Sequence, residues 1–152
     1  MLFRSGAVNP GYARNDRTLL TWVLSHRWNE KLTQNIETDQ GWEQAIPGLA
    51  SAGRNGAPAN DEWYSFGNWF LYSLSDNVMG VWRSEWFRDV AGSRTGFPGN
   101  FYEMTLGLVL KPRPWLLIRP EARFDWSQFC HPFDNGTQSH QFTLGIDMIL
   151  RF

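Results

Sequence analysis

Charged side chains recur at every second position in the later part of the chain. Arg119, Glu121, Arg123 and Asp125 are spaced by two, as are Arg83 and Glu85, while Glu103 and Asp147 stand in comparable segments. Two facing carboxyl groups can work as acid and as nucleophile or base on a glycosidic bond, and Glu103 with Glu121 is the pair that could do so. That chemistry needs one carboxyl held protonated by burial or by a like charge. Folding residues 100–111 and 116–126 about the segment between them sets Glu103 opposite Arg123, Thr105 opposite Glu121, Leu108 opposite Ile118 and Leu110 opposite Leu116. An arginine beside a carboxylate favours its ionised form, the opposite of what a general acid requires. The ladder is therefore expected to be structural or selective, not catalytic.

Other reactive types are weaker candidates. Ser127, Cys130 and His131 are close in sequence, but nothing orients a base toward the hydroxyl or the thiol. His26, His131 and His140 lack ligand spacing and read as loop or strand-surface residues. Asp134-Asn135-Gly136 has the opening residues of a calcium loop without its further acids, so a turn is expected there. No enzyme activity, metal or cofactor is expected.

These side chains need strands to position them. Residues 141–152 put Phe142, Leu144, Ile146, Met148, Leu150 and Phe152 on one face and Gln141, Thr143, Gly145, Asp147, Ile149 and Arg151 on the other. That is period-2 alternation, which a helix would scatter. Residues 100–111 and 116–126 repeat it around Pro112 and Pro114, whose missing N–H groups place the turn at residues 112–114. Residues 63–74 and 78–88 gather Phe66, Phe70, Tyr72, Trp82 and Trp86 on one face, with Arg83 and Glu85 near Trp69 and Gly67 on the other. Residues 18–28 and 32–42 set Trp22, Leu24, Trp28 and Ile36 against Thr21, Glu37 and Asp39. Connections alternate short (29–31, 75–77, 112–114) and long (43–61, 89–99, 127–139), and the long ones are rich in Gly, Pro, Asn and Ser.

Composition narrows the setting. The chain has 152 residues, 42% apolar and 19% charged, which is enough for one ordered domain. Its net charge is -1, from 14 basic and 15 acidic side chains, which argues against a nucleic-acid binder. Mean hydropathy is -0.42, and no apolar run reaches the roughly 18 residues of a membrane-spanning helix. Barrel strands escape that test because they hide their apolar half in alternation. Aromatics make up 16% of the chain, there are 14 Gly and 8 Pro, and the lone Cys130 cannot form an intrachain disulfide. Tyr102, Trp126, Trp115, Trp28 and Trp42 lie near strand ends, as interfacial girdles do.

The fold class this predicts is all-β: an antiparallel up-and-down transmembrane β-barrel, here about seven C-terminal strands of a larger barrel, since bacterial barrels have even strand numbers. Residues 18–152 form that part of one barrel domain. Residues 1–17 are expected to be a truncated loop whose start is not native, without the apolar stretch of an export signal.

Several segments carry a family resemblance. Arg83-Ser84-Glu85-Trp86-Phe87-Arg88-Asp89 with Gly92-Ser93-Arg94, and Asn100-Phe101-Tyr102-Glu103-Met104-Thr105-Leu106-Gly107-Leu108, resemble the OmpL-like β-barrel porins of planctomycete-type bacteria. So do Lys111-Pro112, Ile118-Arg119-Pro120-Glu121-Ala122-Arg123-Phe124-Asp125-Trp126 and the closing Leu144-Gly145-Ile146-Asp147-Met148-Ile149-Leu150-Arg151-Phe152. The likeness covers most of residues 60–152. It implies a passive pore in the bacterial outer membrane for ions and small hydrophilic solutes. The expected lining is Arg83, Glu85, Glu103, Arg119, Glu121, Arg123, Asp125 and Asp147, with Glu37 and Asp39 on the same face. Phe152 is similar to the signal read by the outer-membrane assembly machinery. Implied partners are that machinery, outer-membrane lipid and other copies of the chain in a homo-oligomer, but no nucleic acid. The rival readings are a soluble lipocalin-like ligand-binding barrel, with the apolar face inside, and an outer-membrane enzyme such as a lipase.

Overall fold

The computed structural model describes residues 2–5 as backbone, and residues 16–46, 48–49 and 59–152 in full. Eight strands follow one another: β1 Leu2–Ser5, β2 Arg17–Arg27, β3 Leu32–Ile46, β4 Ala59–Ser75, β5 Val78–Asp89, β6 Gly99–Arg113, β7 Leu116–Gln128 and β8 His140–Leu150. They form one sheet in chain order, each antiparallel to the next. Such a meander needs only hairpin connections. Among the described residues β1 and β8 do not pair, so the sheet is not closed.

Seven of the strands are those the alternation marks. The eighth, β1, falls where the sequence suggests a loop: Leu2 pairs with Leu20 and Ser5 with Arg17. Four residues are too short a stretch for alternation to declare itself. Strands β3 and β4 also run farther than expected, to Ile46 and from Ala59. Most of the long connection between them lies outside the described residues.

The β6–β7 register differs from the sequence-based one by two residues. Glu103 faces Asp125, Thr105 faces Arg123, Gly107 faces Glu121 and Leu110 faces Ile118. The reason lies in the prolines. The turn falls at Pro114-Trp115, later than residues 112–114, and Pro112 stays within β6 at an irregularity between Leu110 and Arg113. A bulge absorbs its missing N–H. A slip of two residues keeps every side chain on its face but changes every cross-strand partner.

Register fixes the faces of the whole sheet. Outside the irregularities at Glu43/Ile46, Ser73/Ser75 and Leu110/Arg113, even-numbered residues pair with even and odd with odd from β1 to β8. The even face is apolar and open: Leu106, Phe142, Met148, Leu144 and Ile146 are exposed, the last two 74% each. The odd face holds the buried positions, and they are polar: Glu43, Asp61, Asp89, Glu103, Thr105, Asp125 and Ser127. Trp63 is the one buried hydrophobic among the described residues. This is the reverse of a water-soluble fold. A fully exposed Leu or Ile forgoes about 1.5–3 kcal/mol of burial, so such a face calls for an apolar medium against it.

Candidate functional site

The odd face brings the expected lining residues together as transverse rows. Glu85, Glu103 and Asp125 lie side by side on β5, β6 and β7. Two residues toward the short turns, Arg83, Thr105 and Arg123 form the next row. Like charges directly opposite one another destabilise a sheet, and the basic row offsets the acidic one. Arg83 Nε lies 2.7 Å from Glu103 Oε2 and 3.5 Å from Glu85 Oε1. The Glu103 contact is electrostatic, since neither atom has a hydrogen-bond partner among the described residues. Arg83 Nη2 donates to Thr105 Oγ1 at 3.3 Å, and the Thr105 hydroxyl donates to Glu103. Arg123 Nε grips both Asp125 oxygens at 2.9 and 2.8 Å. Nearer the short turns Arg119 faces Asp147 and donates to Oδ1 at 2.8 Å. Glu121 lies over Gly145, where an added Cβ would come within 3.3 Å of its Cγ.

Burying an ion costs several kcal/mol unless it is paired or hydrated. Glu103 is only 4% exposed, yet it holds an arginine and a threonine hydroxyl. Glu103 and Glu121 do not face each other: Glu103 lies between Glu85 on β5 and Asp125 on β7, and Glu121 between Gly107 on β6 and Gly145 on β8. Ser127 Oγ donates to the Cys130 carbonyl at 2.6 Å. Asp134 and Asn135 adopt positive φ of 48° and 55° ahead of Gly136, and Thr137 Oγ1 donates to the Asp134 carbonyl at 2.7 Å, so this segment is a turn. His26 packs edge-on to Trp28, with ring centroids 4.5 Å apart. Phe152 follows β8 and is fully exposed.

A second constellation, at the long-connection end, escapes the sequence reading. Asp89, fully buried at the end of β5, accepts from the backbone N–H of Gly92, Arg94 and Thr95 at 2.8–2.9 Å and from the Thr95 hydroxyl. Asp61, two residues before Trp63, the partner of Asp89 on β4, accepts from Ala91 N at 2.7 Å and Ser93 N at 2.8 Å. Two carboxylates thus fold residues 90–98 back over the inner wall. Gly92 has φ +86°, and a Cβ there would meet the Pro98 backbone at 2.9 Å. The fold-back aims Arg94 at Glu43 on β3, which Arg17 also grips at 2.7 Å. The Arg94 guanidinium lies 4.2 Å from the Trp63 ring centroid, and that ring in turn covers Gly41. Two signals existed. Asp shortly before Gly-Ser marks an Asx-type turn, and a glycine inside a strand marks close approach by another group.

On the even face, Phe66, Trp86, Tyr102, Trp126 and His140 are successive cross-strand neighbours from β4 to β8. Tyr102 and Trp126 stack with centroids 5.3 Å apart. Trp28 and Trp115 lie exposed at the short-turn end, and Trp42 sits beyond the aromatic row, farther toward the long connections. Trp126 and Trp115 bound about eleven residues of β7, roughly 36 Å of strand. Tilted by about 45°, that is about 26 Å of height, close to the apolar band of an outer-membrane barrel.

No curated protein and no solved structure matches the chain. A family model described as "Putative beta-barrel porin-2, OmpL-like" matches residues 2–152, reaching well beyond the segments whose residues carry the likeness most clearly. With its single antiparallel sheet, apolar on the exposed face and charged on the buried one, the chain belongs to this family of OmpL-like β-barrel porins.

Proposed function

We propose that this chain forms part of the wall of a water-filled channel in the bacterial outer membrane, through which ions and small hydrophilic solutes diffuse without catalysis. The observation that carries the reading is the inversion of the faces: carboxylates, arginines and hydroxyls on the enclosed side, with Leu, Ile, Met and Phe outermost. A lumen of water solvates the first set and acyl chains cover the second. Backbone cannot meet lipid unpaired, so in the membrane the edges of β1 and β8 are covered by pairing with each other or with another copy of the chain.

Ion preference follows from the pairing. Three arginines hold four acids: Arg83 serves both Glu103 and Glu85, Arg119 holds Asp147 and Arg123 holds Asp125. Four carboxylates thus share three guanidiniums, and Glu37, Asp39 and Glu121 add further negative charge on the same face. A lumen with that surplus favours cations. Conductance across a planar bilayer under a salt gradient tests this. A reversal potential of cation sign is expected; one of anion sign, or no conductance from the folded protein, contradicts it.

A further inference from the structure

Below the charged rows the inner wall opens into a cleft of about 530 Å³ that takes in Trp69, Arg83, Thr105, Arg119, Glu121 and Asp147. We infer that this cleft is a binding site for a neutral pyranose sugar, a step on the path of the solutes the channel carries; the inference rests on the channel reading above. Its volume is within the range of small-molecule sites.

Three features select the ligand class. The first is the platform. The six-membered ring of Trp69 rests on Gly67, where a Cβ would come within 2.3 Å of it, so glycine lets an indole lie down against the wall. A supported aromatic ring offers an apolar surface to the C–H face of a sugar. Leu71 and Val109 extend that apolar surface beside it.

The second feature is the polar edge. Arg119 and Asp147 lock each other in a two-pronged pair, and Glu121 is exposed beside them on the next pair of positions. Arg83 holds its own pair with Glu103 and reaches Thr105. Planar donors and carboxylate acceptors fixed at set positions suit vicinal hydroxyls, which both donate and accept. The third is charge. Arg119 is neutralised by Asp147 and Arg83 by Glu103, so an anion finds no free guanidinium there, and Glu121 is left as an acceptor for hydroxyls. Gly107 and Gly145, directly opposite Glu121 on its two neighbouring strands, keep the floor free of side chains.

The test uses the full chain, folded in detergent and reconstituted into planar bilayers. Maltose and methyl glucoside are titrated against sorbitol, which has the hydroxyls but no ring. The pyranosides are expected to lower conductance saturably and sorbitol not to. Trp69→Ala should raise the half-blocking concentration about tenfold, the effect of losing one aromatic contact, while Trp69→Phe should stay within about threefold. Equal block by sorbitol, or block unchanged in Trp69→Ala, overturns the site. Calorimetry of the same sugars on the detergent-folded protein separates the two readings. Binding without conductance overturns the channel and keeps the site; conductance without binding overturns the site and keeps the channel.

Discussion

Arg83 on β5 reaches diagonally to Glu103 on β6, 2.7 Å away, although the residue directly opposite Glu103 is another acid, Glu85. Two carboxylates are thus neighbours across a ladder, and one guanidinium serves both. Removing that guanidinium should hurt more than removing one of its partners. Arg83→Met leaves Glu85, Glu103 and Asp125 abreast with only Arg123 beside them, and is expected to destabilise the barrel by roughly 3 kcal/mol. Adding Glu103→Gln should recover part of that loss. Urea unfolding of the single and double variants in detergent measures both values; additive losses would show that the pair is not coupled.

The fold-back of residues 90–98 depends on Asp89. Its two oxygens accept four hydrogen bonds from Gly92, Arg94 and Thr95. Asp89→Ala strands three backbone N–H groups, at a cost of roughly 1–3 kcal/mol for each that water does not reach. Hydrogen exchange should rise across residues 90–98 while β6 stays protected. A variant with unchanged exchange there would mean that Asp61 alone holds the segment.

Trp63 can lie against β3 only because residue 41 is glycine. A Cβ at that position would sit 2.0 Å from the indole Cε2. Gly41→Ala should therefore push the ring off the wall and release its contact with Arg94, costing about 1–3 kcal/mol. Trp63→Leu in the same chain should relieve most of the clash. Thermal unfolding of the two variants checks the order of stability.

The faces should differ sharply in tolerance to charge. Ile146→Arg, near the middle of the even face, is expected to cost about 2–4 kcal/mol in a bilayer. Thr143→Arg, on the odd face of the same strand, should cost far less because its side chain meets water. Equilibrium unfolding in lipid vesicles reads both, and equal costs would mean that the faces do not see different solvents.

The sequence made the strands of the second half legible because the even positions from Phe142 to Leu150 and from Tyr102 to Leu110 are all apolar or aromatic, with only Val109 and Ile149 apolar on the other face. It also placed Phe66 and Trp86 on one face and Arg83 and Glu85 near Trp69 and Gly67 on the other, since the short turn at 75–77 leaves little freedom of register, and the strands pair Trp69 with Arg83 and Gly67 with Glu85. Membership of one face was equally readable for Arg83, Glu85, Glu103, Arg119, Glu121, Arg123, Asp125 and Asp147, because parity survives a slip of two. Partner identity was not. Glu103 meets Arg83, not Arg123, because Pro112 is taken into a bulge and the turn forms later. Nor was the Asp61, Asp89 and Arg94 knot readable as a site. Its residues come from three strands and a connection, and no local pattern joins Glu43 to Arg94.

The central claim is that lipid covers the even face and water wets the odd one. With Cys130 replaced by serine, a spin label at Leu106 or Ile146 of the protein folded in vesicles reports its solvent directly. The account predicts strong broadening by oxygen, which partitions into acyl chains, and little by a water-soluble nickel complex, with the reverse at Glu121. A label at Leu106 or Ile146 that is immobilised by surrounding protein and reached by neither reagent would contradict it.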